Sequence, residues 1–254
     1  MNFSLKPLSV ALAAGLLLAA SAARAQQSVE LIMENYTSSV MSITSTQIGN
    51  IMVEEAVRRN NGLSPRAGKT APAAAAKTPA ASFAYTPTPA LRQQTVQGYV
   101  NRLKANNPAA AQAVAANLGP GKHDYGQVYR GIVQGTGLRE NDAADNLAAY
   151  LVLGWMIVND VRQASGLPAG APRGVRAQLA PKLAANAQLT KPGTAAQLGE
   201  ELKLLLVVVQ GGWQAALKEN TLPQYRQGVA AMFKNQYGLN MAQLKLTPQG
   251  FAKK

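Results

Sequence analysis

Apolar positions recur at helical spacing along most of this chain. Val29, Ile32, Met33, Tyr36, Val40 and Ile43 follow one another at intervals of three and four, the spacing of one helix face. Ile48, Ile51, Met52 and Val57 continue the pattern, and Glu54-Glu55 precede Arg58-Arg59 by four positions, an orientation that favours a helix. Residues 28–60 therefore read as an amphipathic helical segment. The periodicity then stops. From Asn61-Gly62, a turn signal, to Thr88 the chain alternates Ala, Lys and Thr with Pro65, Pro72, Pro79 and Pro87. So few large apolar residues cannot offset the entropy of ordering, and recurring prolines favour extended conformations. Residues 61–88 read as a flexible linker.

The helical pattern resumes for the rest of the chain, and residues 89–251 are expected to form one helical domain. Leu91 to Lys104 carries Val96, Tyr99, Val100 and Leu103 on one face. Pro108 stands where a proline starts a helix, here a short Ala-rich one ending near Gly119. Asp124 can cap a helix holding Tyr125, Val128, Tyr129, Ile132 and Val133, which Gly135-Thr136-Gly137 stops. Further helices are expected over 142–163, 169–187, 194–218 and 222–236. Leu147 to Val158 and Leu202 to Val209 are almost wholly apolar. Helices that are apolar all round are buried, and both runs fall short of the roughly 20 residues that span a bilayer. The expected fold is all-α, a multi-helix orthogonal bundle around two apolar central helices at about 142–163 and 194–218. Val207-Val208-Val209 has strand propensity, but no second β-rich run is evident to pair with it. Leu239, Met241, Leu244, Leu246 and Phe251 are candidates to pin the last segment onto the body.

The first residues follow a different logic. Lys6 precedes an apolar stretch from Leu8 to Ala20, and Ala23-Arg24-Ala25 gives the small-x-small pattern that a signal peptidase reads. Residues 1–25 are expected to be a cleavable signal peptide cut after Ala25, which places the remainder in the periplasm or outside the cell.

Composition then excludes chemistry. The chain has no cysteine and one histidine, His123. Thiol nucleophiles, disulfides and zinc sites built from several His or Cys ligands fall away, and no metal or cofactor is expected. A Ser-His-Asp triad would have to use His123, but no G-x-S-x-G surrounds a serine. The glycines from Gly131 to Gly137 lack the Lys-Ser/Thr of a phosphate loop. The charge is strongly basic, 25 Lys and Arg against 12 Asp and Glu. Such a surplus favours anionic partners, which outside the cytoplasm means anionic envelope polymers or another envelope protein. The basic residues are dispersed and no nucleic-acid-binding motif accompanies them, so specific nucleic-acid binding is not expected.

Three stretches carry a resemblance. GLRENDAADNLAAYLVLGWMIVND, the terminal LTPQGF and PTPALRQQTVQGYVNRLKANNPAAA resemble the core, closing and opening motifs of an uncharacterised family of exported bacterial proteins, over about Pro87 to Phe251. The resemblance implies an exported all-helical domain and supplies no mechanism. Within the core motif, Trp155 and Asn159 lie about 80° and 40° around a helix from Asp145. Asp145, Trp155 and Asn159 are thus the candidate ligand-binding residues. The competing structural role pairs Asp145 with Arg139 or Arg130 and ties Asn159 to a loop backbone. The expected function is that of a non-enzymatic cell-envelope binding or scaffold protein. The alternative is a lysozyme-like cell-wall glycosidase, in which Glu200 or Glu201, beside an apolar run, serves as the acid.

Overall fold

The computed structural model describes residues 83–254, apart from 119, 120 and 190. The expected signal peptide, the 28–60 helical segment and most of the 61–88 linker lie outside the described residues. What is described is a helical bundle with one small hairpin. Its helices are α1 (Pro89–Asn106), α2 (Pro108–Leu118), α3 (Tyr125–Val133), α4 (Ala143–Val158), α5 (Ala171–Ala184), α6 (Thr194–Lys218) and α7 (Leu222–Tyr237). Strands β1 (Leu244–Thr247) and β2 (Gly250–Lys253) pair antiparallel, with Leu246 opposite Phe251.

Local sequence sets the helix boundaries. The Thr88 hydroxyl accepts from the Leu91 amide at the start of α1, and Asp124 accepts from Gly126 at the start of α3. Asp142 accepts from both Ala144 and Asp145 at the start of α4, so it satisfies two amide groups that a helix start otherwise leaves unpaired. Gly238, with φ 65°, closes α7 in the left-handed conformation that glycine tolerates best. α4 stops at Val158, five residues short of the expected 163. There Asn159 leaves helical geometry and Asp160 takes φ 56°.

The two apolar helices sit at the centre, as their sequence requires. Every residue of α4 except Trp155 is buried, and α6 is buried continuously from Leu198 to Val209. α4 and α6 share the most extensive helix–helix contact, with α5, α7, α1 and α3 arranged around them. Val207-Val208-Val209 is helical, because with no partner strand its hydrogen bonds are best made within α6. Gly154 lets α4 approach α7, since a Cβ there would overlap the Phe233 ring. Phe233 in turn packs against Tyr150 and Tyr237, with ring centroids 5.2 and 5.5 Å away.

Two features extend the domain beyond its expected limits. Before α1, Phe83 is buried and Ala84 forms a β-bridge with Asp142. Tyr85 N–H donates to Asn141 O, and Ala143 N–H donates to Phe83 O. The folded unit thus starts by residue 83, six residues before the expected boundary, and residues 83–88 form a strap rather than linker. At the other end Leu239, Met241, Leu244, Leu246 and Phe251 are all buried; the last three lie in a hairpin that the sequence reading did not anticipate, and the first two in the segment that leads into it. Gly174 admits its turn, because a Cβ there would strike the Pro248 carbonyl.

Candidate functional site

The densest chemistry in the domain is a buried polar network on α6. Glu200 and Lys203 are one helical turn apart and both are 0 % exposed. Lys203 Nζ lies 2.7 Å from Glu200 Oε1 and 2.6 Å from Asn141 Oδ1. Tyr85 donates its hydroxyl hydrogen to Glu200 Oε1 at 2.9 Å, and Tyr125 donates to Oε2 at 2.7 Å. Arg92 Nε stands 3.5 Å from the same Oε2. Asn146 completes the set. Its amide donates to Tyr85 Oη and to the Gly199 carbonyl, and its Oδ1 accepts from Tyr129. The Lys203 ammonium also lies 5.2 Å from the Tyr85 ring centre and 5.8 Å from that of Tyr129.

Five parts of the chain converge here, several of them for local reasons. The β-bridge of Ala84 with Asp142 aims Tyr85 inward. Gly199 leaves room for its ring, because a Cβ at 199 would overlap Tyr85. Tyr125 and Tyr129 are four apart on α3, hence on one face. Glu200 and Lys203 share a face of α6 for the same reason. Burial lowers the Lys203 pKa, and the Glu200 carboxylate beside it opposes that shift. Burial raises the phenols of Tyr85 and Tyr125, and the Glu200 charge raises them further. Both phenols therefore stay protonated and act as donors. An ion pair removed from water persists only when its remaining polar valences are met, and here each carboxylate oxygen has a donor. The arrangement holds charge in place and keeps the Glu200–Lys203 pair itself enclosed.

The candidate residues from the core motif are placed separately. Asp145 faces Arg139 Nε at 2.6 Å and Arg176 Nε at 3.2 Å. Trp155 donates its indole N–H to the Leu244 carbonyl. The Asn159 amide donates to Trp155 O and Met241 O, while its Oδ1 accepts from Lys254 Nζ. Asp145 and Asn159 stand at opposite ends of α4, about 21 Å apart at 1.5 Å per residue. Similar angular position is not proximity along the axis, so the three residues form no common pocket. Asp145 makes the arginine pair named as its structural role, with Arg139. Arg130 pairs instead with Glu140, which holds the Glu140 carboxyl below its usual range. Glu201 is buried beside Gln197. Sequence reading missed Tyr85, Tyr125, Asn146 and Lys203. The visible signal was Lys203 itself, a charge three residues after Glu200 within an otherwise apolar run.

Beside the network, and sharing Arg92 and Tyr125 with it, there is a hollow of about 500 Å³ between the start of α1 and the corner before α3. Arg92, Lys122 and His123 line it together with Val96 and Leu118. His123 is exposed, as its place in the corner suggests. Among the described residues no group of three or more His, Cys, Asp or Glu could hold a metal, and no helix is long and apolar enough to cross a membrane.

Charge is distributed unevenly between interior and surface. Asp124, Glu140, Asp142, Asp145, Asp160 and Glu200 each face at least one Arg or Lys within 4.0 Å. Lys104, Lys122, Lys182, Lys191, Lys218, Lys234, Lys245, Lys253 and Lys254 are exposed. Comparison with protein-family models, with curated proteins and with solved structures finds no match to this chain.

Proposed function

We propose that this is an exported, non-enzymatic helical protein that binds or scaffolds anionic polymers of the cell envelope. The observation that carries this reading is the fate of the charges. Most acidic side chains of the described domain are consumed in ion pairs, while nine lysines stand exposed. The surplus positive charge is therefore presented outward, where it attracts anions. The signal-like leader of residues 1–25 and the resemblance to exported helical proteins supply the compartment. Lipopolysaccharide phosphates and cell-wall polymers are the anions that compartment offers.

The glycosidase alternative needs a carboxylic acid beside a substrate groove and a second carboxylate across it. Glu200 is fully enclosed and already holds two tyrosines and a lysine, which weighs against that role. Capture on immobilised lipopolysaccharide and on peptidoglycan, at low and high salt, tests the preferred reading. Retention at low salt that fades at high salt is expected. No retention on either polymer at low salt would sink it. Clearing of cell-wall substrate that is lost in Glu200→Gln or Glu201→Gln would install the enzyme instead.

A further inference from the structure

We infer that the hollow bounded by Arg92, Lys122 and His123 is a binding site for a sugar phosphate. The inference names a site for the envelope binding proposed above and rests on that reading only for the source of the ligand. The hollow measures about 500 Å³, within the size range of small-molecule sites. Its donors are of the kind that phosphate takes. Arg92 carries five N–H donors on a planar fork. Nη1 serves Asp124 at 2.8 Å and Nε faces Glu200, which leaves Nη2 for a ligand. The same two contacts hold the guanidinium in place before any ligand arrives, and a pre-positioned arginine loses less freedom on binding.

Lys122 and His123 are exposed on the same wall, and neither has an acidic partner among the described residues. The one carboxylate in the lining, Asp124, is occupied by Arg92 and by the Gly126 amide. The lining is therefore cationic in balance. Three separate donors suit the three terminal oxygens of a phosphate ester better than the two of a carboxylate. The remaining wall, with Pro87, Val96 and Leu118, is apolar and suits the carbon face of a sugar ring. The ligand can come free in solution or as the headgroup of a phosphorylated glycolipid.

Isothermal titration of the protein with glucose 1-phosphate, and with glucose as control, tests the site. Saturable binding of glucose 1-phosphate alone is expected, weakened at least about tenfold, or about 1.4 kcal/mol, in the Lys122→Gln/His123→Gln variant. Both positions are exposed and outside the buried network, so circular dichroism should report an unchanged fold. Lys245→Gln, on the hairpin, should bind as the native protein does. Flotation with phosphatidylcholine vesicles, plain or doped with a phosphorylated glycolipid, separates the sources. Selective flotation with doped vesicles assigns the lipid headgroup, and its absence alongside glucose 1-phosphate binding assigns the soluble ester. Equal binding of glucose, no saturable binding up to about 10 mM, or an unchanged double variant would overturn the site. If native protein still captures lipopolysaccharide in that event, only the site is lost. If it captures neither lipopolysaccharide nor peptidoglycan, the envelope reading fails as well.

Discussion

The ring of Tyr85 occupies the space that a side chain at Gly199 would need. A residue 114 positions earlier in the chain thereby sets the identity of one on the central helix. Gly199→Ala is expected to cost about 1–3 kcal/mol, the usual penalty of overfilling a packed core. In a Tyr85→Ala background the added methyl should cost far less, because the space is then open. Urea unfolding of the two single variants and the double variant measures the coupling. Additive costs would contradict the close approach.

Lys203→Met should destabilise the domain by about 3–5 kcal/mol, since it leaves the Glu200 carboxylate buried without its counter-charge. Glu200→Gln added to it should recover part of that loss, because an amide still accepts from a tyrosine and no longer carries charge. A double variant less stable than Lys203→Met alone would show that the charges are not coupled. The measurement is again urea unfolding at neutral pH.

Trp155→Phe removes the indole donor to Leu244 O and should cost about 1 kcal/mol. The loss should be local. Amide hydrogen exchange is expected to quicken across Leu244 to Lys253 and to change little in α6, as for a unit that opens by itself. Uniform acceleration through the domain would mean that the hairpin and bundle open together.

Alkaline titration has a predictable sign. Burial raises the phenols of Tyr85, Tyr99, Tyr125, Tyr129, Tyr150 and Tyr225 above their ordinary value near 10. The unfolded chain loses those protons above about pH 10 while the native one keeps them. Stability is then full below pH 10 and falls as pH rises, by about 1.4 kcal/mol per pH unit for each tyrosine. Lys203, lowered by burial, works in the opposite direction up to about pH 10.4, one group against six. Tyrosinate absorbance should therefore rise together with the loss of helical circular dichroism. Ionisation of most tyrosines in a protein still fully helical would contradict their burial.

Much of the architecture was legible because each helix carries its own punctuation. Asp124 and Pro108 begin elements where they were expected to, and the long apolar runs of α4 and α6 could only be central. The hairpin was hidden because its burial comes from α5, far away in sequence, and two strands of four residues make too short a period to read. The strap was hidden for a related reason. Phe83 and Tyr85 sit among Ala, Thr and Pro and gain meaning only through Gly199 and Asp142. The spread of Asp145, Trp155 and Asn159 along α4 was not legible, since their angular coincidence says nothing of the distance between helix ends. The buried network draws on the strap, α1, α3, α4 and α6, and no sequence spacing encodes that meeting.

The pairing of Ala84 with Asp142 gives the domain a handle. Whatever grips the chain upstream of Phe83 grips a segment whose next side chain but one is seated in the interior, bonded to Glu200 and Asn146. Tension on that segment would load the β-bridge and the Tyr85 hydroxyl together, and so would reach the centre of the bundle without passing through any surface loop.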